Sequence, residues 1–527
     1  MRIFDTYVQK LKYKVLTELA RQTWVGNDAF SVFNDIANQV VKKGEPTMSC
    51  CIYKDRAIVA ERIRIALGGK KEDHNVIQVI DIACDECPVA GHVVTDLCRG
   101  CVAHACVDAC KLGAITVDSH QKAEIDKSKC VECGKCAKSC PYSAIANFKR
   151  PCEKACKVDA ISMAPDGVAQ IDSEKCIECG ACVYKCPFGA TLDVSSITDI
   201  IKTIVDSDNN KNYHVHAIVA PAIAGQFQYA KAGQLISAIR ELGFYAVEEV
   251  ALGADIVAYK EAQELQEKGF LTSSCCPAFV KYIKMKFPQM AEHISHNLSP
   301  MAETGKLIKE QDPDAKIVFI GPCTAKKGEV RKPEVHQYVD YVMTFEELQA
   351  MIDSKDIAVD QLPETELDTA TYYGRVFART GGLSEAVTEA VREQKAAAEA
   401  AKADAPDGAG TSGAVASGEA GASGKPASGD AGTNPGKPAS GDGACDGDSA
   451  NSKPFVFDPI VCDGIDSCKT ALLRASKGLL PNNFIEGMVC TDGCIGGAAC
   501  LSHGNADKRA IDNYGKKASH KEIRDVL

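Results

Sequence analysis

Apolar positions recur every three or four residues along "YVQKLKYKVLTELARQTW", Tyr7 to Trp24, which predicts an amphipathic helix. "TMSCCIYKDRAIVAERIRIALG" predicts a turn and then another helix. From residue 215 to about 393 the pattern alternates. "VHAIVAPAIA" and "AKIVFIGPC" are short continuous apolar runs that predict buried strands ending in loops. "QLISAIRELGF" and "FEELQAMIDS" show helical spacing, so this part predicts an α/β layer. Residues 395–453 break the pattern. They are Ala, Gly, Ser, Pro and Asp with no aromatic side chain, and "GKPASGD" occurs twice. Such a segment cannot bury a core and is expected to be a disordered insert. Apolar text resumes at "KPFVFDPIVCDG". The expected organisation is a helical N-terminal segment (1–80), a cysteine-rich module (81–195), an α/β domain in two parts (210–394 and 454–527), and the insert (395–453).

Composition changes this picture in one respect. Of 527 residues, 45% are hydrophobic and 25% charged, as in ordinary globular chains. A net charge of −11 argues against nucleic acid or an anionic membrane surface as main partner. No run of 18 apolar residues predicts a membrane span. The N-terminus lacks the apolar core of a signal peptide, so the cytoplasm is the expected compartment. Cysteine is the abnormal number: 27 residues. In a long chain outside oxidising compartments that points to metal.

Sixteen of these cysteines lie between residues 84 and 190, and most obey a repeat. Cys106, Cys110, Cys130, Cys133, Cys136 and Cys140 recur 46 residues later as Cys152, Cys156, Cys176, Cys179, Cys182 and Cys186. "CVECGKCAKSCP" and "CIECGACVYKCP" have the Cys-x2-Cys-x2-Cys-x3-Cys-Pro spacing of 4Fe-4S sites. Three thiolates hold one cubane and the fourth reaches a neighbouring one. Zinc also takes four thiolates, but rarely with this spacing. Cys98, Cys101, Cys106 and Cys140 would hold one cluster; Cys130, Cys133, Cys136 and Cys110 a second. Cys176, Cys179, Cys182 and Cys156 would hold a third. Subtraction leaves Cys152 and Cys186 to join Cys84 and Cys87. A simple eight-cysteine ferredoxin is the alternative, and it would leave eight cysteines unexplained. Either arrangement is an electron wire.

Further along, Cys276 in "TSSCCPAF", Cys323 in "FIGPCTAKKGE", and Cys490 and Cys494 in "EGMVCTDGCIGGAAC" each sit in a loop marked by Gly or Pro. Four thiolates from three loops suffice for a fifth cubane. Taken with "IVAPAI" and "YYGRVFARTGGLSEAV", these motifs resemble those of the iron-only (FeFe) hydrogenases, in order and over about residues 84–510 outside the insert. The resemblance implies an α/β catalytic domain of the FeFe-hydrogenase type, preceded by α+β ferredoxin-like iron-sulfur modules. It also implies an H-cluster: a cubane joined to a two-iron unit carrying CO, cyanide and a dithiolate amine. Cys276, Cys323, Cys490 and Cys494 would hold the cubane, with Cys494 bridging to the two irons.

By the same resemblance Cys275 would relay protons and Lys326 would donate to a cyanide. Pro221, Ser299, Met301 and Met488 would line the cofactor pocket. Glu261, Ser295 and Glu264 would carry protons to water. Glu261 and Glu264 stand i,i+3 on one helical face, and a solvated helix face is the other reading of that spacing. The implied activity is reversible H2 oxidation and proton reduction. About four further 4Fe-4S clusters would lead to a ferredoxin or flavodoxin-like carrier, and maturation proteins would build the H-cluster. A hydrogen sensor or an iron-sulfur assembly protein without turnover is the alternative. Assembly relatives typically lose the relay thiol, which is present here. The chain departs from the common family pattern at "TDG" after Cys490, at "IGGAAC" after Cys494, at Ala222, and at Phe279 where Trp is frequent. Cys50, Cys51, Cys462, Cys468 and Cys500 are read as plain thiols.

Overall fold

The computed structural model describes residues 4–27, 31–44, 51–70, 73–84, 87, 90–403 and 455–527. Met1–Glu393 and Phe457–Leu527 form one unit, and Gln394–Val456 a second. Cys50, Cys445 and the rest of the expected insert from residue 404 lie outside the described residues.

Two parallel sheets organise the α/β part. The first runs Ala246–Glu249, Val215–Val219, Lys316–Gly321, Tyr341–Thr344 in spatial order. Its central strand Val215–Val219 is buried at every position, as expected when helices cover both faces of a parallel sheet. The second runs Leu271–Thr272, Phe484–Met488, Pro459–Asp463, all parallel. Sequence distant by more than 200 residues therefore meets in one sheet. Loops leaving the carboxyl ends of these strands carry Pro221, Cys275, Cys276, Cys323, Cys490 and Cys494. Open parallel sheets usually bind ligands at that end.

The 46-residue repeat is visible in the backbone. Hairpin Ile115–Val117/Ala123–Ile125 recurs as Ile161–Met163/Ala169–Ile171, and helix Lys135–Ser139 recurs as Ala181–Lys185. Each unit is closed by a strand from earlier in the chain. Gly91–Val94 pairs with Ile145–Phe148, and Ile77–Val79 pairs with Thr191–Asp193. Residues 77–79, expected in a helical segment, are instead an edge strand of the second unit. Three residues are too few to show a strand period.

The helix Gly382–Ala403 corrects the near edge of the insert, because helical backbone continues nine residues past 394. "KAAAEAAKA" is rich in strong helix formers, and low complexity alone hid that propensity.

The N-terminal helix Tyr7–Trp24 starts at a capping box, Thr6 with Gln9. Its face of Leu11, Val15, Leu16, Leu19 and Ala20 is buried. Lys12 on this helix is also buried, and its ammonium meets Asp193 at 2.5 Å and Glu346 at 2.6 Å. Lys327 reaches the other oxygen of Asp193 at 2.7 Å, and Glu347 at 2.8 Å. Burial alone would raise the Asp193 carboxyl; the two lysines outweigh it and hold the group well below the usual carboxylate range. Burial pushes Glu346 upward despite Lys12. Removing one partner from such a network strands a buried charge. Lys12→Met is expected to cost about 3–5 kcal/mol. The check is a fall in the urea midpoint of the cluster-loaded chain; an unchanged midpoint would contradict it.

Candidate metal centre

The loop after Leu271–Thr272 is pinned on both sides. Ser273 N–H donates to Ile485 O at 3.0 Å, and Gly487 N–H donates to Ser273 Oγ at 3.1 Å. Cys276 is the N-cap of helix Pro277–Lys286, with Pro277 as the first helical residue. Cys275, three residues past the end of the strand, lies in the bend before the helix and is buried. The two thiols have different neighbours, Glu261 for Cys275 and Lys326 with the Val489, Phe279 and Ala278 amides for Cys276. Phe279, the residue at the frequent Trp position, is fully buried in that helix. A Cβ on Gly487 would lie 2.2 Å from its ring, so only glycine lets the strand press this close.

Burial pushes the Cys276 thiol up, while the amides of Val489, Phe279 and Ala278 and the Lys326 ammonium pull it back. Cys323 is pushed to about 11 by burial, with Cys276 adding to the shift. Cys494 is pushed to about 12 by burial, with Cys323 and Cys276 beside it. Cys490 is raised well above the ordinary thiol value by burial, then by Cys323, Cys276, Cys179 and Cys494. Four thiols from three loops thus converge, each costly to ionise without a cation.

Lys326 supplies fixed positive charge. Burial would lower its pKa; Glu329, Cys323 and Cys275 outweigh burial and raise it. Its ammonium lies 2.5 Å from Glu329 Oε2, but outside hydrogen-bond geometry, so both atoms are buried without a hydrogen-bond partner. Ser299 Oγ, at the N-cap of helix Pro300–Gln311, is likewise buried and unpartnered. Convergent thiols, a buried ammonium whose ion-pair partner is Glu329, and an unpartnered buried hydroxyl fit an anionic iron-sulfur group bearing acceptor atoms. Pro221, Met301 and Met488 are all buried, at the end of Val215–Val219, in the first turn of Pro300–Gln311, and at the end of Phe484–Met488.

A polar chain leaves the centre. Glu261, in helix Val250–Lys268, is fully buried rather than on a solvated face. Burial pushes its carboxyl up to about 7, against hydrogen bonds from Ser295 and Ser274. Burial, and after it the Glu261 carboxylate, push the Cys275 thiol well above its ordinary value. Ser295 Oγ donates to Glu264 Oε2 at 3.2 Å. Glu264 meets Lys268 and the exposed His296, each at 2.7 Å. Hydrogen bonds from these two hold its carboxyl below the ordinary value, against burial. Ser274 Oγ donates to Asn297 O at 3.0 Å and lies 3.5 Å from Glu261 Oε1. Nothing in the sequence marks Ser274 or His296 for this chain except nearness to Cys275 and Ser295.

The cysteine-rich modules gather their thiols in the same manner. Cys106 lies near Cys140 and Cys101, and Cys136 near Cys130 and Cys133. Cys98 and Cys110 pack against Cys106 and Cys136. Cys182 lies near Cys179, Cys176 and Cys156. Burial pushes Cys152 to about 11, with Cys186, Cys84 and Cys87 around it. Arg150 donates to Cys84 Sγ at 3.4 Å. Amides also point at sulfur: Ala144 at Cys140 (3.4 Å), Ala190 at Cys186 and Ala160 at Cys156 (3.2 Å each). Such bonds tune cluster potentials. Cys179 is pushed to about 12 by burial, and Cys276 is among the thiols near it. Gly180 allows that approach, since its φ is +72° and a Cβ there would meet Ala498 and Thr324 at 2.7 Å.

Comparison with known proteins agrees with these features. The family model for "Iron only hydrogenase large subunit, C-terminal domain" matches residues 213–498. The "4Fe-4S dicluster domain" matches 97–144 and 150–190. Iron hydrogenase 1 of Clostridium pasteurianum is 29% identical over 308 residues, covering 53% of this chain and 52% of that one. The cytosolic Fe-S cluster assembly factor NAR1 of Kluyveromyces lactis is 36% identical over 95 residues, or 18% of this chain and 20% of that one. The chain thus spans about half the length, or less, of these curated relatives. A solved apo FeFe-hydrogenase from Chlamydomonas reinhardtii is 19% identical at a TM-score of 0.44, covering 63% of this chain and 94% of that one. The first family match runs over more than half of the chain, and the chain belongs to the iron-only hydrogenase large-subunit family, with 4Fe-4S dicluster modules ahead of its C-terminal domain.

Proposed function

We propose that this chain catalyses reversible H2 oxidation and proton reduction, H2 ⇌ 2H+ + 2e−, at an H-cluster. Cys276, Cys323, Cys490 and Cys494 hold its cubane, and Lys326 and Ser299 offer donors to its anionic ligands. When bound, the group supplies the iron chemistry that makes and breaks the H–H bond. The observation that carries this reading is the chain of buried Cys275, Glu261 and Ser295 and half-buried Glu264. A cluster that only needs to be held or handed on has no use for a proton path.

The side chains divide the work. The Cys275 thiol, kept neutral by burial, holds a proton at the cluster. Glu261, titrating near 7, exchanges that proton at working pH, and Ser295 passes it to Glu264. Glu264 delivers it to the exposed His296. Pro221, Met301 and Met488 wall the pocket with apolar surface and keep water from short-circuiting the path. Cys179 with Cys176, Cys182 and Cys156 would hold the accessory cluster next to the cubane, and these clusters would supply a path for the two electrons to a ferredoxin or flavodoxin-like carrier. Cys84, Cys87, Cys152 and Cys186 hold the fourth of these accessory clusters. Maturation proteins install the two-iron unit, and the cytoplasm is the compartment. No described helix is long and apolar enough to cross a membrane.

Similarity to the NAR1 assembly factor supports a second reading, iron-sulfur assembly without turnover. The expected outcomes separate the two and fix the cluster number. Expressed with hydrogenase maturation machinery, the chain shows infrared CO and cyanide bands and turns over H2; no diatomic bands would leave the assembly reading. Cys275→Ser retains the clusters but loses nearly all turnover; unchanged turnover would remove the relay role. H2 oxidation needs ionised Glu261 and rises with pH through about 7, while proton reduction needs the acid form and falls. Glu261→Gln flattens both profiles and lowers rates about 10²–10⁴-fold. Cubane iron amounts to about twenty atoms per chain, five clusters of four; about twelve would match the simple two-cluster wire.

A further inference from the structure

The leading end of the Val215–Val219 strand carries a cluster the hydrogenase reading does not use. His214 and His216 are two apart and so project from the same face of the strand. His214 Nδ1 lies 2.7 Å from Asp312 Oδ2, and Asp312 caps the carboxyl end of helix Pro300–Gln311. His216 is 7% exposed, and its Nδ1 lies 2.8 Å from Glu248 Oε1 on the neighbouring strand Ala246–Glu249. A carboxylate at Nδ1 places the ring proton there, which leaves the Nε2 lone pair free. That nitrogen is buried with no hydrogen-bond partner, 3.9 Å from Asp312 Oδ2. One ligand atom from each of His214, His216 and Asp312 falls within 4.8 Å of the others. The Tyr245 ring stacks on His214 at 3.8 Å and limits its rotation.

We propose that His214, His216 and Asp312 form a binding site for a divalent cation of the zinc class. Two imidazoles and one carboxylate are a borderline-soft donor set, favouring zinc over magnesium or calcium. His216 binds through Nε2 and Asp312 through Oδ2. His214 binds through Nδ1, its proton moving to Nε2 or to solvent. Glu248 is the positioning residue that fixes the tautomer of His216, the usual carboxylate behind a metal-bound histidine. Water completes the fourth position. The site lies at the end of the sheet opposite the cysteine centre; Pro221 is five residue steps along the chain from His216, about 16 Å of extended backbone. It therefore takes no part in hydrogen chemistry. It clamps the start of one central strand to the end of the helix whose first turn carries Ser299 and Met301.

The test uses the full, cluster-loaded chain dialysed against limiting zinc, with zinc and iron counted together. Wild type is expected to hold about one zinc per chain, with nitrogen and oxygen scatterers at about 2.0–2.1 Å in zinc-edge X-ray absorption. His216→Ala and Asp312→Asn are each expected to lower zinc at least tenfold with iron unchanged. Should His216→Ala lose iron as well, the near-isosteric Asp312→Asn decides. Sulfur at about 2.3 Å would place the zinc in vacant cysteine sites and overturn the proposal. So would zinc retained in both variants, or none bound by wild type.

Discussion

Asp193 is a buried carboxylate held between two buried ammonium groups, and three parts of the chain meet there. It ends the last strand of the repeated cysteine modules. Lys12 comes from the N-terminal helix. Lys327 comes from the short helix that follows Cys323 and immediately succeeds Lys326. Burying such charges is expensive, so the arrangement is tolerated only if all partners arrive together. A small displacement of the modules would leave Asp193 or Lys327 facing apolar protein. The network therefore fixes register more than it adds stability. The register it fixes is the one that sets Cys179 beside Cys276.

The same constraint orders the metal centre. Cys276, Cys323 and Cys490 each follow the carboxyl end of a parallel strand, and the two sheets bring those ends to one place. Parallel pairing joins Leu271–Thr272 to Phe484–Met488 across a large gap in sequence, so the loops converge only in the finished fold. Lys326 and Lys327 then take different partners from adjacent positions. Lys326 is spent on the thiols and Glu329, Lys327 on the interlock. Ammonium groups so near a thiol cage ease the accumulation of thiolate charge as iron binds.

Much of this could be read in the chain. The 46-residue repeat announced two equivalent modules because duplicated cysteines need duplicated backbone, and hairpins and helices recur at that offset. Alternating apolar runs announced the α/β layer. What escaped was of three physical kinds. Ile77–Val79 is a strand only because Thr191–Asp193 lies alongside, and three residues carry no period. Helix Gly382–Ala403 overran its expected end because alanine favours helix even where composition looks featureless. Buried polar groups such as Lys12, Asp193 and Ser274 have no sequence signature, since their partners are settled by tertiary packing. Glu261 and Glu264 show the difficulty well. Their i,i+3 spacing fits a solvated face and an internal relay equally, and burial alone separates the two.

The adjacent pair Cys275 and Cys276 shows how local geometry becomes chemistry. One peptide separates them, yet the first lies in the bend after strand Leu271–Thr272 and the second caps a helix. The helix start gives Cys276 amide donors that favour the thiolate, the form a metal needs. For Cys275, burial and then the neighbouring Glu261 raise the thiol and keep its proton on. Pro277 fixes where the helix begins and so fixes which thiol is which. Exchanging the roles would require moving the helix start by one residue. The Gly487 strand pressed against Phe279 leaves no room for that. A glycine on the neighbouring strand thus holds the start of this helix in place.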